Sequence, residues 1–193
     1  MRIRLRLVLF YIRFPLYILH YIIYVFSNNR NLINEDVQAN SCHYFNDKCR
    51  NLVYLLQEYK YFRSLFYFRI GYFSFFLKWY LPGDPTFLIA KECKLGGGII
   101  LHHPFSTVIN AKTIGSNFEC RNNTTIGNKS DTNINLLPVI GKNVIAGANC
   151  CIIGDIEIGD NVIIGAGSVV VKNVPNNVIV AGNPAKIIKE NKP

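Results

Sequence analysis

Small and branched apolar residues return at every sixth position through most of the second half of the chain, and that period decides what the segment can become. Ile140, Ala146, Ile152, Ile158, Ile164 and Val170 stand six apart, as do Val108, Ile114, Cys120 and Ile126. On an α-helix, steps of about 100° per residue spread such positions round the cylinder and leave no buried face. On a strand, six is a multiple of two, so all of them point the same way. Two residues before many of them stands a second inward candidate: Phe118, Thr124, Val144, Cys150, Ile156, Val162 and Ser168. A chain that turns after each hexapeptide, with Gly supplying the corner dihedrals, folds into triangular coils of three hexapeptides, stacked by parallel ladders.

The register positions are Ile89, Leu95, Leu101, Val108, Ile114, Cys120, Ile126, Ile140, Ala146, Ile152, Ile158, Ile164 and Val170. They predict about four coils, a column roughly 20 Å long at a strand spacing of about 4.8 Å. The register slips twice, by one residue between Leu101 and Val108 and by eight between Ile126 and Ile140. Residues inserted into a solenoid must leave its core as loops, so function is sought there. An ordinary β-sandwich is the competing fold, but unbroken six-spacing has no reason to persist in one.

Ahead of the repeat lies a different kind of sequence. Residues 1–28 carry Arg2, Arg4 and Arg6 before an apolar run from Leu7 to Phe26, which is interrupted by Arg13, Pro15 and His20. No acid occurs before Glu35. Arg13 would cost a few kcal/mol inside a bilayer, so a helix lying on a membrane surface fits better than one crossing it. A true span and a helix buried within the protein or its oligomer are the alternatives. No small-residue cleavage site follows, so a cleaved signal is not expected.

Residues 27–46 are polar and Asn-rich and read as a linker, His43 among them as a satisfied or exposed histidine. Asp47 to Tyr80 turns helical, with apolar spacings of three and four, and Leu81-Pro82-Gly83-Asp84-Pro85 ends it. Its aromatics, from Phe66 to Tyr80, exceed what one helical layer can hide and must meet the solenoid, a partner subunit or lipid. The expected organisation is therefore 1–28 hydrophobic basic helix, 29–84 linker and helical region, 85–176 β-solenoid and 177–193 basic tail, with the chain leaving the coil at Pro175.

A net charge of +9 on 193 residues favours anionic partners, acidic membrane surfaces or phosphates. Nucleic acid is not expected, since no groove-reading motif appears. Cys120 and Cys150, two of six cysteines, fall at inward positions where thiols act as small hydrophobes. A reduced, cytoplasmic compartment follows.

His102 and His103 stand together at the first slip, in GGGIILHHPFSTVIN. A histidine held outside a rigid column is suited to take a proton from a hydroxyl during acyl transfer. Metal binding is the competing use of paired histidines. Adjacent side chains diverge on a strand and only His20 and His43 remain, so no metal site is expected.

The hexapeptide array, the GGGIILHHPFSTVIN segment, the loop after TTIGN, IGAGSVVVKNVP and AGNPAK together resemble the hexapeptide-repeat acyltransferases. Within them the resemblance is to serine O-acetyltransferases and their relatives in surface-polysaccharide gene clusters, over residues 88–190. It implies a mainly β fold, a left-handed parallel β-helix preceded by a helical region. It also implies a homotrimer with acetyl-CoA in the groove between neighbouring columns.

By the resemblance His103 is the catalytic base, spaced seven before Asn110, with His102 beside it in support. Asn128 and Lys129 open the inserted loop where the thioester and pantetheine bind. Ala148 and Ala166 let pantetheine approach the coil, and Lys186 and Lys189 meet the nucleotide phosphates. Backbone N–H groups near Asn123 to Gly127 are expected to stabilise the oxyanion. The acid that orients the base would align with Leu88, and a second histidine with about Leu137, so both groups are lost; Asp84 and Glu92 are the candidate replacements. The resemblance thus implies an acetyl-CoA-dependent O-acetyltransferase; the two lost groups favour a sugar or glycolipid hydroxyl in surface-polysaccharide biosynthesis as acceptor, and the basic apolar N-terminus agrees with a cytoplasmic protein peripheral at the inner face of the cell membrane. Serine O-acetyl transfer in cysteine biosynthesis is the alternative.

Overall fold

The computed structural model describes residues 2–41, 45–129 and 136–191, the side chains of residues 2–6 aside. The readings made for His43 and for the middle of the inserted loop fall outside the described residues. Two compact units divide the chain, Met1–Asp84 and Pro85–Pro193.

The second unit is a three-sided parallel solenoid. One face stacks β1 (Phe87–Ile89), β4 (Thr107–Ile109), β7 (Thr125–Gly127), β10 (Cys151–Ile153) and β13 (Val169–Val170). The second stacks β2 (Lys94–Leu95), β5 (Thr113–Ile114), β8 (Val139–Ile140) and β11 (Glu157–Ile158). The third stacks β3 (Ile100–His102), β6 (Glu119–Arg121), β9 (Ile145–Ala146), β12 (Ile163–Ile164), β14 (Val178–Gly182) and β15 (Ala185–Glu190). Every pairing is parallel except the last, where β15 folds back on β14.

Three inward columns result. Ile109, Ile126, Ile152 and Val170 are successive partners on the first face, and Leu95, Ile114, Ile140, Ile158 and Val174 on the second. On the third they are Leu101, Cys120, Ala146, Ile164 and Val180. The corner positions expected to point inward, from Phe118 to Ser168, are all buried.

Three details of the sequence reading change. There are five coils rather than about four. The chain does not leave at Pro175: Val174 bridges Ile158, and β14 lies parallel to β12. Val108 is not inward but 39% exposed, while Ile109 is fully buried. The step from Leu101 to the next inward residue is therefore eight, followed by a short step of five to Ile114; a Val-Ile pair satisfies either register by hydrophobicity alone.

Corners depend on stacked asparagines. Asn117, Asn143, Asn161 and Asn177 all have φ of 55–58°, and each of the first three donates through Nδ2 to Oδ1 of the next at 2.8–3.0 Å. Asn tolerates the left-handed region better than other residues with a Cβ, so Asn rather than Gly turns most corners. Many glycines serve close approach instead: a Cβ on Gly115 would stand 2.6 Å from the backbone of Gly141 in the coil below.

The first unit is helical: α1 (Arg2–Arg13), a 3₁₀ turn (Phe14–Tyr17), α2 (Ile18–Phe26), α3 (Arg30–Asn40), α4 (Lys48–Glu58), α5 (Lys60–Ile70), a second 3₁₀ turn (Gly71–Phe73) and α6 (Ser74–Tyr80). The segment read as a linker contains α3, which buries Ile33, Val37 and Asp36. Asp36 is held by Arg69, Nε to Oδ2 at 2.8 Å, so the buried face of a segment read as polar linker carries a paired charge. Leu52, Leu55, Leu56, Phe62, Leu65 and Phe66 complete the core. Asp47 caps α4, accepting from the Arg50 N–H at 2.9 Å.

Candidate active site

The corner between the third and first faces is where the solenoid departs from its own rule. Lower coils pass from the inward residue to the left-handed corner in three steps: Cys120 to Asn123, Ala146 to Asn149, Ile164 to Gly167. The first coil takes five, from Leu101 to Ser106, which has φ 52°. His102 to Phe105 occupy the enlarged corner, and it bulges outward because the interior has no room for them.

His103 follows β3 with φ 49°, a conformation sparsely populated by residues with a Cβ. Its carbonyl accepts the Phe105 N–H at 2.8 Å, closing a tight turn. The residue is exposed and outside the apolar columns. Beneath it on the same edge stand Asn122 and Asn123, then Ala148 and Asn149, then Ala166 and Gly167, linked by N–H donation from Asn149 to Asn122 and from Gly167 to Ala148. Ala148 is half-buried and Ala166 exposed, so this edge offers a groove wall of small side chains.

His102 points outward from the end of β3, opposite Arg121 of β6. Its Nε2 lies 3.2 Å from Glu119 Oε1, an ion pair when the imidazole is protonated. Arg121 Nη2 donates to the same oxygen at 3.3 Å. Glu119 is a residue the sequence reading missed. The coil itself was the ruler that could have found it, since outward residues of the next coil lie 17 and 19 positions beyond His102.

Asn128 and Lys129 leave the coil on another edge, between the first and second faces, where Gly154 N–H donates to Gly127 O at 2.9 Å. In a single column they do not share a groove with His103. Asn110 is half-buried just before the short step, its N–H donating to Ile126 O at 2.9 Å. Lys186 and Lys189 lie exposed on β15, five strands from β3, roughly 24 Å at about 4.8 Å per strand.

The proposed oxyanion donors fare less well. The N–H groups of Asn123, Thr124 and Thr125 are engaged by Phe105 O, Thr107 Oγ1 and Cys150 O, because a corner this tight uses its amides to join coils. Leu88, at the position of the missing acid, is 55% exposed on the outer side of β1. Glu92 is exposed. Among the described residues no three His, Cys, Asp or Glu side chains come together as metal ligands.

The family described as bacterial transferase hexapeptide (six repeats) matches residues 138–172, within the solenoid. A serine acetyltransferase of Buchnera aphidicola subsp. Acyrthosiphon pisum (strain APS) is 32% identical over 182 residues, 86% of this chain and 65% of that protein. A candidate colanic acid biosynthesis acetyltransferase, WcaB, of Escherichia coli (strain K12) is 43% identical over 100 residues, 51% of this chain and 61% of that protein. The chain thus spans less than two thirds of either relative's length. The serine acetyltransferase of Brucella abortus strain S19, solved in complex with coenzyme A, superposes with a TM-score of 0.65 at 26% identity, covering 84% of this chain and 68% of that one. Superposition distinguishes a coil from its mirror image, so the solenoid is a left-handed parallel β-helix.

Proposed function

We propose that the protein is an acetyl-CoA-dependent O-acetyltransferase whose base is His103. The observation that carries this reading is the bulged corner, which holds an imidazole outside the column at the head of an edge lined by Ala148 and Ala166. The imidazole takes the proton of an acceptor hydroxyl as its oxygen attacks the thioester carbonyl. Collapse of the tetrahedral intermediate breaks the carbon–sulfur bond, and the imidazolium returns the proton to the departing thiolate. The products are an acetyl ester and free coenzyme A.

The nucleotide end of coenzyme A extends down the column toward Lys186 and Lys189, whose ammonium groups suit its phosphates. Asn128 and Lys129 belong to a different edge, which supports a homotrimer: in a ring, that edge of one copy faces the His103 edge of the next. His102, held by Glu119, which Arg121 also engages, supports the acceptor side.

The acceptor we favour is a sugar or glycolipid hydroxyl of a surface polysaccharide, acetylated in the cytoplasm. Exposed Leu88 stands where serine acetyltransferases carry an acid by the resemblance, and a free amino acid needs fixed partners for its two charges. Serine transfer is the second reading, favoured by the name of the relative matched over 86% of the chain. Purified protein given labelled acetyl-CoA with L-serine or with saccharide acceptors, free and lipid-linked, separates them. The expected result is transfer to a saccharide, with kcat/KM for serine lower by about 10² or more. Ordinary turnover of L-serine overturns the saccharide reading.

A further inference from the structure

The first unit has two apolar surfaces that nothing in it covers. Along α1, the 3₁₀ turn and α2, Val8, Ile12, Leu16, Leu19, Ile22 and Phe26 follow one another at steps of three and four, and all are exposed. The opposite side, Phe10, Tyr17, His20 and Tyr24, is buried. In and before α6, Tyr72, Phe73, Phe75, Phe76 and Trp79 are exposed, Trp79 at 90%. The two elements are neighbours, since the Tyr80 hydroxyl donates to Leu16 O at 2.8 Å and lies 3.3 Å from His20 Nδ1.

We propose that this unit docks on the surface of an anionic lipid bilayer through these two stretches, without crossing it. Charge selects the occupant. Arg13, Arg30 and Lys78 flank the stretches, the sequence adds Arg2, Arg4 and Arg6, and no acid occurs before Glu35 or between Glu58 and Asp84. A second copy applied through the same face would set arginine against arginine, whereas anionic headgroups complement them. Aromatic residues and a Trp beside Lys suit the headgroup boundary.

Leu7–Phe26 is long and apolar enough to span a membrane, but its buried side is tied to the unit by polar bonds. His20 Nε2 lies 3.0 Å from Tyr67 Oη, Arg63 Nη1 donates to Tyr17 Oη at 3.2 Å, and the Tyr24 hydroxyl donates to Asn34 Oδ1 at 2.6 Å. A spanning helix would abandon all three and leave Arg63 without that partner.

Trp79 is the sole tryptophan, so its emission reads the contact directly. Full-length protein is mixed with vesicles of phosphatidylcholine alone or containing roughly 30% phosphatidylglycerol. The expected result is a blue shift and quenching by brominated acyl chains with the anionic vesicles, reversed by high salt. Phe75→Ser with Phe76→Ser, both exposed in the folded unit, is expected to weaken partitioning about tenfold or more while circular dichroism is unchanged. Unchanged emission from folded protein overturns the proposal. So does a blue-shifted emission in lipid-free protein that is lost on dilution, which identifies a second copy as the occupant. Retention in vesicles through an alkaline wash identifies a span and overturns it too. Binding is read without an acetyl donor, so its failure leaves the catalytic reading untouched.

Discussion

His20 is surrounded by groups that keep it neutral. Burial is the larger cause and the Arg63 guanidinium the second, and together they lower its pKa from 6.5 to about 4. Tyr67 donates its proton to Leu81 O, so the imidazole is the donor in the His20 to Tyr67 bond. Between pH 6.5 and 4 the unfolded chain binds a proton that the folded one refuses, so stability is full above about 6.5 and falls as pH drops toward 4. The loss is about 3 kcal/mol across that window, and His20→Gln is expected to flatten the slope in urea titrations run at stepped pH. The sequence exposed His103 at this scale, because a doubled histidine at a register slip stands out. It hid Glu119 and Asp36, because each meets its partner across a gap, 17 residues from Glu119 to His102 and 33 from Asp36 to Arg69, that no local pattern spans.

The coils owe their register to repetition along the column as much as to the apolar core. Asn143 sits in mid-ladder, accepting from Asn117 and donating to Asn161, with φ 55°. Asn143→Ala removes both bonds and puts a methyl-bearing residue in the left-handed region, and is expected to cost about 2–3 kcal/mol. Asn143→Gly loses the bonds but not the conformation, and is expected to cost about half as much, a reversal of the usual order of Ala and Gly read as a shift in urea midpoint. The strands were legible because six-spacing has one explanation. The fifth coil was not, because after Val170 the inward spacing shortens to four before Val174, and the period that announces the other coils breaks. The helix α3 was hidden by its polarity, its buried face carrying an ion pair in place of a third apolar residue.

For the molecule as a whole, the solenoid supplies stiffness, and the chemistry we propose sits at the enlarged corner between its third and first faces. The second, third and fourth coils close that corner in three residues, and the first spends two more to carry the histidines outward. The measurement that bears most directly on this account is release of the coenzyme A thiol from acetyl-CoA by wild-type protein, His103→Ala and His102→Ala, in parallel with coenzyme A binding. Loss of about 10² to 10⁴ in kcat for His103→Ala, a milder loss for His102→Ala and unchanged coenzyme A affinity in both is the predicted outcome. Full thiol release by His103→Ala would contradict it.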